Sequence, residues 1–298
     1  MKDKKNKKLN ILITGGTGFV GSNLVNLLRH KEGYSINVLS QQSISSKDGF
    51  VSNNILEEDQ IIIGDLLNYN DAEKATNNID IVIHLAYSKN YPENLVMAEN
   101  LINACRKNKV KKIILLSSMS AKRSHPDEYG KNKLEIENMI KKSGINYTIL
   151  RPSIIYGKGG KSFDFMIELI NKVPFFTPII GSGKYWIMPV HKDDVIKAVE
   201  KTINNKITDK KEYDLPGRDK IYFVDLINLL KKEKRIGKIN IHIPIMFCKV
   251  ISMILPKVLS KENIRNLTES SLADMCLAEK DLDYKPISLK EGLKNGIV

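Results

Sequence analysis

Tyr129 and Lys133 are the pair of residues in this sequence with the most suggestive chemistry. They stand four positions apart in a segment, 127–142, whose pattern predicts a helix, so both side chains share one helical face. A phenol with a pKa of about 10 is a poor base at neutral pH. Lowering that pKa by about 3 units takes roughly 4 kcal/mol of preferential phenolate stabilisation, which a nearby ammonium and an oxidised nicotinamide can supply. The pair is therefore a candidate acid–base couple.

A serine-rich segment just upstream is the natural neighbour of this couple. The apolar run Lys112–Ser117 predicts a strand, and it continues into Ser118-Met119-Ser120. Because the carboxyl ends of parallel strands line the ligand crevice of an α/β sheet, we expect a serine hydroxyl there to face Tyr129.

Three glycines near the start of the chain indicate a phosphate site. In the run Ile11–Gly21, an apolar strand leads into Gly15, Gly18 and Gly21, and a helical pattern follows. Such glycines permit a tight turn, a close approach of pyrophosphate to bare backbone and tight helix–strand packing, while the helix N-terminus offers N–H groups to phosphates. An ordinary strand-to-helix turn is the alternative. The predicted cofactor contacts in this turn are Gly15, Thr17, Gly18, Phe19, Val20 and Gly21.

The elements that must position these residues alternate along the first half of the chain. Such alternation predicts right-handed β-α-β units, and near-continuous Ile/Val/Leu strands indicate burial on both faces. The fold class is therefore α/β, with a Rossmann-type doubly wound parallel sheet. Strands are predicted at Asn10–Thr14, Ile36–Leu39, Ile61–Gly64, Ile81–Leu85, Lys112–Ser117 and Tyr147–Leu150. Helices are predicted at Gly18–His30, Asn70–Asn77, Pro92–Lys107 and Asp127–Lys142.

The domain organisation follows from where this rhythm stops. Residues 1–8 are predicted to form a basic, disordered tail, and 9–156 the dinucleotide-binding domain, to which 187–216 return. Glycines and prolines break the chain after Tyr156. Residues 157–186 and 217–298 are predicted to form a smaller, mainly helical substrate-binding part.

Composition excludes several classes of protein. The 298 residues are 42% hydrophobic and 27% charged, as in a globular protein. Four units of the +13 net charge lie in the first eight residues, and no basic stripe interleaved with aromatics is present, so a nucleic-acid binder is disfavoured. Three scattered cysteines predict no disulfide framework and no metal site, and a cytoplasmic location.

One apolar segment, 243–259, has two interpretations. Its lysine-flanked sequence is compatible with peripheral membrane contact through an interfacial helix. A helix that packs over a substrate pocket or a dimer seam is the alternative.

Taken in order, the motifs resemble those of extended short-chain dehydrogenases/reductases of the NAD-dependent epimerase/dehydratase type, which act largely on nucleotide sugars. The resemblance covers nearly the whole chain. It rests on Gly15/Gly18/Gly21, Gly64-Asp65-Leu66, His84-Leu85-Ala86, Tyr129-x-x-x-Lys133, Arg151-Pro152-Ser153-Ile154-Ile155-Tyr156-Gly157 and Pro189–Val195.

The resemblance implies roles for several residues. Asp65 and Leu66 would contact an adenine, and the strand end at His84, Leu85 and Ala86 would line the pyrophosphate and ribose.

It also implies that Lys133 holds the nicotinamide ribose and lowers the pKa of Tyr129, which exchanges a proton with a sugar hydroxyl. Pro152 and Ile155 would be further cofactor contacts. Many relatives pair through their third and fourth helices, so a homodimer is expected.

Three departures from the family pattern refine these expectations. NAD-preferring members carry an acidic residue at the end of the second strand, where this sequence has Ser40 and Gln41. The expected cofactor is therefore NAD(P), and we favour NADP(H), with Lys47 as a nearby cation. Met119 occupies the position at which the family usually has a catalytic Ser or Thr, and Ser118 is the best substitute for that residue. The loop before Tyr129 is short, as in an atypical branch that includes a complex I accessory subunit.

The sequence therefore predicts an NAD(P)-dependent enzyme that epimerises or reduces a nucleotide-activated or lipid-linked sugar by hydride transfer, with Tyr129 as acid and base. An NADPH-dependent keto-sugar reductase is one alternative. A non-catalytic NADP(H)-binding subunit of a larger assembly is the other, which Met119 favours and the Tyr129–Lys133 pair opposes.

Overall fold

A computed structural model describes residues 8–42, 60–124, 126–254, 264 and 270–294. Lys47 and most of the predicted basic tail lie outside these ranges. The chain divides into two compact units. The first runs to Arg151 and adds Val195–Tyr213 and Leu277–Tyr284. The second comprises Pro152–Asp194, Asp214–Cys276 and the residues from Lys285 onward.

A seven-stranded sheet forms the centre of the first unit and confirms the predicted Rossmann-type α/β fold. Its strand order is β11-β6-β5-β4-β1-β2-β3, and the pairings from β6 to β3 are all parallel. The strands are β1 (Leu9–Thr14), β2 (Tyr34–Ser40), β3 (Gln60–Ile63), β4 (Ile81–His84), β5 (Lys112–Leu116), β6 (Asn146–Pro152) and β11 (Lys211–Leu215).

Burial explains why these runs form central strands. Ile11, Leu12 and Ile13 of β1 are fully buried, as expected where helices cover both faces of a sheet. One core cluster joins alternate strand residues to the inner faces of the second, third and fourth helices. The helices are α1 (Phe19–Arg29), α2 (Tyr69–Thr76), α3 (Tyr91–Lys107) and α4 (Glu128–Lys141).

A segment from late in the chain completes the first unit. Helix α6 (Lys192–Ile203), a 3₁₀ turn (Lys206–Thr208) and β11 lead to the sheet edge. Helix α9 (Cys276–Leu282) brings Asp281 there, where its carboxylate accepts hydrogen bonds from Lys211 Nζ (2.6 Å) and the Tyr213 hydroxyl (2.8 Å). The edge strand is thus held by residues about seventy positions further along.

Within its described residues, the second unit contains helices and three small two-stranded sheets around its own core. The sequence did not predict these sheets. Their pairs are β7 (Ile155–Tyr156) with β10 (Val190–His191), β9 (Trp186–Ile187) with β12 (Ile221–Tyr222), and β8 (Phe176–Ile180) with β13 (Ile239–Ile243). The helices are α5 (Lys161–Lys172), α7 (Phe223–Glu233), α8 (Ile245–Ile254) and α10 (Leu289–Lys294).

Helix α8 occupies most of the segment that raised the question of membrane contact; residues 255–259 lie outside the described ranges. Cys248 and Ser252 are buried, whereas Met246, Phe247, Val250 and Met253 are exposed. Among the residues that the structure describes, no helix has both the length and the hydropathy to cross a bilayer.

Candidate functional site

The glycine turn after β1 is built so that side chains are excluded from it. Gly15 has a positive φ of 72°, and a Cβ there would lie 2.6 Å from the backbone nitrogen of Ala86. A Cβ on Gly21 would lie 2.1 Å from the carbonyl oxygen of Gly15. Both distances are below any real Cβ contact, so glycine is required at 15 and 21 for α1 to pack against the β1 and β4 strand ends.

The N-terminus of α1 presents backbone N–H groups without a side-chain acceptor. Gly18 is the N-cap residue, no side chain caps the helix, and its first turn contains no acidic residue. Thr17, Phe19 and Val20 are half-buried beside this cap. Unsatisfied N–H groups and the positive end of the helix dipole together fit a pyrophosphate.

Helix α4 begins so that Tyr129 stands next to the turn after β5. The carboxylate of Asp127 caps the helix by accepting from Gly130 N–H at 2.8 Å. A Cβ on Gly130 would lie 2.4 Å from the carbonyl oxygen of Ser120. Glycine immediately after Tyr129 therefore lets the first turn of α4 approach the serine-rich segment, and Tyr129 itself is half-buried.

Lys133 lies one turn further along the same face, as the i, i+4 spacing predicted, and its side chain is buried. Its Nζ donates to the carbonyl oxygen of Leu116, at the end of β5, at 3.2 Å. Burial lowers the pKa of Lys133 to about 8, although the charge of Glu137 acts in the opposite direction. Lys133 is thus mostly protonated at neutral pH and titrates just above it.

Tyr87 is a member of this site that the sequence analysis missed. Its ring meets the ring of Tyr129 edge-on, with centroids 5.2 Å apart, and the Nζ of Lys133 lies 4.2 Å from its centroid. Its hydroxyl donates to Asn132 Oδ1 at 3.1 Å. The sequence did contain a signal for Tyr87. This residue directly follows His84-Leu85-Ala86, at the end of a predicted strand, and the other site residues follow the ends of other predicted strands.

His84 is buried at the end of β4, between β1 and the lysine. Its Nδ1 shares a 2.7 Å hydrogen bond with Thr14 Oγ1, at the corresponding end of β1. Burial, together with the nearby charge of Lys133, lowers the pKa of His84 to about 3. The imidazole is therefore neutral near physiological pH. Its side chain packs within the strand ends, whereas Leu85 and Ala86 are half-buried just beyond them.

A buried ion pair supports the far end of the same face of α4. Glu137, four residues after Lys133, accepts from Ser117 Oγ at 2.5 Å and from Arg151 through two nitrogens, at 2.8 and 2.5 Å. Arg151 also pairs with Glu212. Glu137 is fully buried. Charge-assisted hydrogen bonds therefore fix Ser117, the first residue after β5, and Arg151, near the end of β6, to helix α4.

The serine segment has a structural role that its hydroxyls help to perform. Ser118 caps the 3₁₀ turn Met119–Lys122 by accepting from Ser120 N–H at 3.2 Å. Its own O–H proton remains available to donate, and the residue is half-buried. Met119 is buried and packs as an apolar residue. The catalytic role predicted for Ser118 stays a prediction.

The predicted adenine end of the site lies at the ends of β2 and β3. Gln41 Nε2 donates to Asp65 Oδ2 at 2.9 Å, while Ser40 Oγ donates to the carbonyl of Gln42 at 2.8 Å. The Leu66 side chain belongs to the core, so any contact of this residue with an adenine would come from its main chain. The structure thus brings Gln41 and Asp65 together.

The remaining two predicted cofactor contacts belong to the second unit. Pro152 is the last residue of β6, and Ile155 opens β7, where it is paired with Val190 of β10. The glycine turn and Tyr129 belong to the first unit, so these two residues lie in a different unit from them. No cluster of metal-ligating side chains occurs within the described ranges.

Comparison with known proteins places this geometry in a family. The sequence profile described as "NAD dependent epimerase/dehydratase family" matches residues 11–215. The UDP-glucose 4-epimerase of Vibrio cholerae is 24% identical, over 98% of this chain and 95% of its own length. A mitochondrial NADH dehydrogenase 1 alpha subcomplex subunit 9 from Dictyostelium discoideum is 26% identical, over 80% of this chain and 68% of its own.

The fold also has close counterparts among solved structures. The UDP-glucuronic acid 4-epimerase of Bacillus cereus, in complex with UDP-glucuronic acid and NAD, superposes with a TM-score of 0.77 and 22% identity, covering 97% of this chain and 98% of that one. At that identity the likeness concerns the fold alone. The family profile spans most of the chain, which carries its glycine turn and Tyr-x-x-x-Lys pair. The chain therefore belongs to the NAD-dependent epimerase/dehydratase family.

Proposed function

We propose that this protein is an NAD(P)-dependent enzyme that acts on a nucleotide-activated or lipid-linked sugar, with Tyr129 as acid and base. The observation that carries the proposal is the position of the buried Lys133, whose Nζ lies 6.0 Å from the centroid of the Tyr129 ring and whose pKa burial lowers to about 8. A lysine far from its aqueous pKa, beside a phenol at the end of a parallel strand, is typical of a reactive site.

The roles of the chain's own residues follow from this arrangement. The N–H groups at the start of α1 would hold the pyrophosphate, and Lys133 would bind the nicotinamide ribose. When bound, the nicotinamide would supply the hydride acceptor and donor for a sugar carbon. Tyr129 takes up the proton of the hydroxyl on that carbon during oxidation and returns it during reduction. The ammonium of Lys133 stabilises the phenolate that exists before the oxidation and again after the reduction.

Tyr87 supports the same assignment as a positioning residue. A cation above its ring face is attracted by the ring quadrupole, so Tyr87 favours the charged form of Lys133 against the effect of burial. Its edge-on contact with Tyr129 restrains the second ring. Tyr87 thus holds the ammonium and the phenol in one arrangement.

The reaction and the cofactor are parts of the proposal. The relatives' names cover both UDP-glucose 4-epimerases and a UDP-N-acetylglucosamine 4,6-dehydratase, and we propose an epimerase or reductase. Because Ser40 and Gln41 leave no carboxylate at the end of β2 to repel a 2′-phosphate, we favour NADP(H) over NAD. Tighter binding of NAD than of NADP to the purified protein would contradict this preference.

A homodimer through α3 and α4 also remains a proposal. Among the described residues, Val96 is the one large apolar side chain on these two helices that is strongly exposed, at 45%. We therefore expect a weak dimer. Analytical sedimentation at increasing dilution would reveal its dissociation.

The test is turnover of a panel of UDP-, dTDP- and GDP-sugars, with NAD and with NADP, followed by mass spectrometry and NMR of the products. We expect Tyr129→Phe to lower kcat by about 10²- to 10⁴-fold, the range for loss of a general acid–base group, with cofactor affinity nearly unchanged. Tyr69→Phe, on α2, is the matched control and should keep full activity.

The same experiment distinguishes the second candidate, a non-catalytic NADP(H)-binding subunit. The buried Met119 in place of a hydroxyl residue and the similarity to a complex I subunit favour it. Cofactor binding without turnover of any sugar in the panel, keto sugars with NADPH included, would establish that role and overturn the proposed one.

A further inference from the structure

The described side chains of helix α8 include four large apolar groups that are exposed to solvent. Of its described side chains, Cys248 and Ser252 are buried, at 1% and 4% exposed, and Ile245 is half-buried against the core of the unit. Its outer face, defined here as Met246, Phe247, Val250 and Met253, is 48–73% exposed. A surface helix normally packs its large apolar residues inward and turns polar residues to water.

The strand pair that precedes α8 adds to this apolar surface. Ile239 and Ile241 of β13 are 67% and 41% exposed, and their i, i+2 spacing puts them on one face of the strand. Phe175, just before β8, is 88% exposed and has a positive φ of 68°, a strained conformation for a bulky residue. Ile239 is paired with Phe176, the next residue. Several large apolar side chains of this segment are thus exposed to water, and such a patch marks a surface that a partner covers.

The charged residues within this segment are all cationic. From residue 234 to residue 254 the chain has no Asp or Glu, and its cations are Lys234, Arg235, Lys238 and Lys249. Arg235 and Lys232 are exposed, and so is the single carboxylate between them, Glu233 at the end of α7. The Nζ of Lys238 donates to backbone carbonyls of helix α5 and the turn after it, so Arg235 and Lys232 are the described, exposed cations that can reach a ligand. A second copy of this chain would bring two such basic segments together, whereas an anionic surface would neutralise them.

The length of α8 limits how it could meet a bilayer. Ten residues at about 1.5 Å each extend roughly 15 Å, half of the hydrocarbon thickness of about 30 Å. A helix of this length cannot span, but it can lie in the interface with one face among the acyl chains.

We propose that the outer face of α8 docks the second unit on a membrane containing anionic lipid, with Met246, Phe247, Val250 and Met253 inserted and the exposed Lys232 and Arg235 on the headgroups. The inference does not rest on the proposed enzymatic function, because it concerns only the surface of the second unit. Such docking would give the protein access to a substrate that carries a lipid.

The test is flotation of the full chain with vesicles of phosphatidylcholine, with and without phosphatidylglycerol. We expect strong binding to the anionic vesicles and weaker binding to the neutral ones, reduced by salt. The double variant Phe247→Ser/Met253→Ser should lose binding by about tenfold or more, since two inserted side chains are removed. Ile207→Ser removes an equally exposed apolar residue (60%) from the first unit and should bind like the wild type.

A spectroscopic variant tests insertion directly. Phe247→Trp should gain a blue-shifted emission that brominated lipid quenches, while the native Trp186 provides the background signal. Failure of the wild-type chain to float with anionic vesicles would overturn the proposal. Normal flotation of the double variant would also overturn the proposal. So would a double variant whose only change is dissociation of a dimer, as measured by light scattering.

Discussion

Helices α4 and α8 both violate the usual distribution of side chains, in opposite directions. Helix α4 buries Lys133 and the carboxylate of Glu137 on its inner face, while its exposed positions are polar. Helix α8 exposes four large apolar residues and buries a cysteine and a serine. Buried charge and exposed hydrocarbon each cost free energy of folding, so neither arrangement is explained by the stability of the fold alone.

The difference between them lies in how the cost is offset. In α4 the charges are satisfied inside the unit, by Arg151, Ser117 and the Leu116 carbonyl, so the helix is rigidly held and ready for a ligand. In α8 nothing within the described chain covers the outer face. Consequently, α4 should be sensitive to substitution and pH, whereas α8 should tolerate loss of its outer side chains.

The largest expected effect is on the α4 side of this comparison. Glu137→Gln leaves the buried guanidinium of Arg151 without its main counter-charge, and breaking a buried pair in this way costs about 3–5 kcal/mol. Urea denaturation measures the free energy of unfolding. Glu135→Gln, at an exposed position of the same helix, is the control and should change it by less than about 0.5 kcal/mol. A loss below about 1 kcal/mol in Glu137→Gln would show that the pair is not the anchor described.

The next effect concerns pH and the histidine beside Lys133. The pKa of His84 is lowered from its ordinary 6.5 to about 3 in the folded chain, so below pH 6.5 the unfolded state binds a proton that the folded state does not. Stability should therefore fall with decreasing pH, by about 1.4 kcal/mol per unit from this residue.

Denaturation of His84→Asn over the same pH range isolates that contribution. The variant should lose this part of the slope, whereas His30→Gln, at an exposed position, should keep it. Equal slopes in the wild type and His84→Asn would mean that the buried imidazole is not the group that responds to acid.

The smallest effect is expected on the α8 side. Phe247→Ser/Met253→Ser should change the free energy of unfolding by less than about 0.5 kcal/mol, because these side chains are already in water. Leu226→Ala, in the core of the same unit, should cost about 2–5 kcal/mol. If the α8 variant were as costly as the core variant, its outer face would be covered within the chain and the comparison would fail.

Local sequence pattern was sufficient for the first unit's central elements. The strands predicted at 10–14, 81–85 and 112–117 are found within a residue or so, because buried parallel strands have continuous apolar runs. Helix α4 was likewise predicted within one residue at each end. Its Tyr129 and Lys133 share a face because helical spacing alone requires it.

What could not be predicted depends on contacts between distant segments. Tyr87 belongs to the site because β4 ends beside α4, and Gly130 is needed because of a carbonyl ten residues earlier. The short strand pairs of the second unit join residues about 35 positions apart, or 63 in β8 with β13, and their apolar patterns are too brief to distinguish strand from helix. The exposure of α8 was also hidden, since an apolar run does not say which of its faces is covered.

The contribution of α9 to the first unit has a consequence for biosynthesis. Among the residues that the structure describes, Asp281 is the carboxylate partner of both Lys211 and Tyr213, so the edge of the sheet stays open on the ribosome until that helix has emerged. We infer that nascent chains carry an incompletely closed nucleotide-binding unit through most of translation. Premature termination before residue 277 would release a product with that edge exposed to chaperones and proteases.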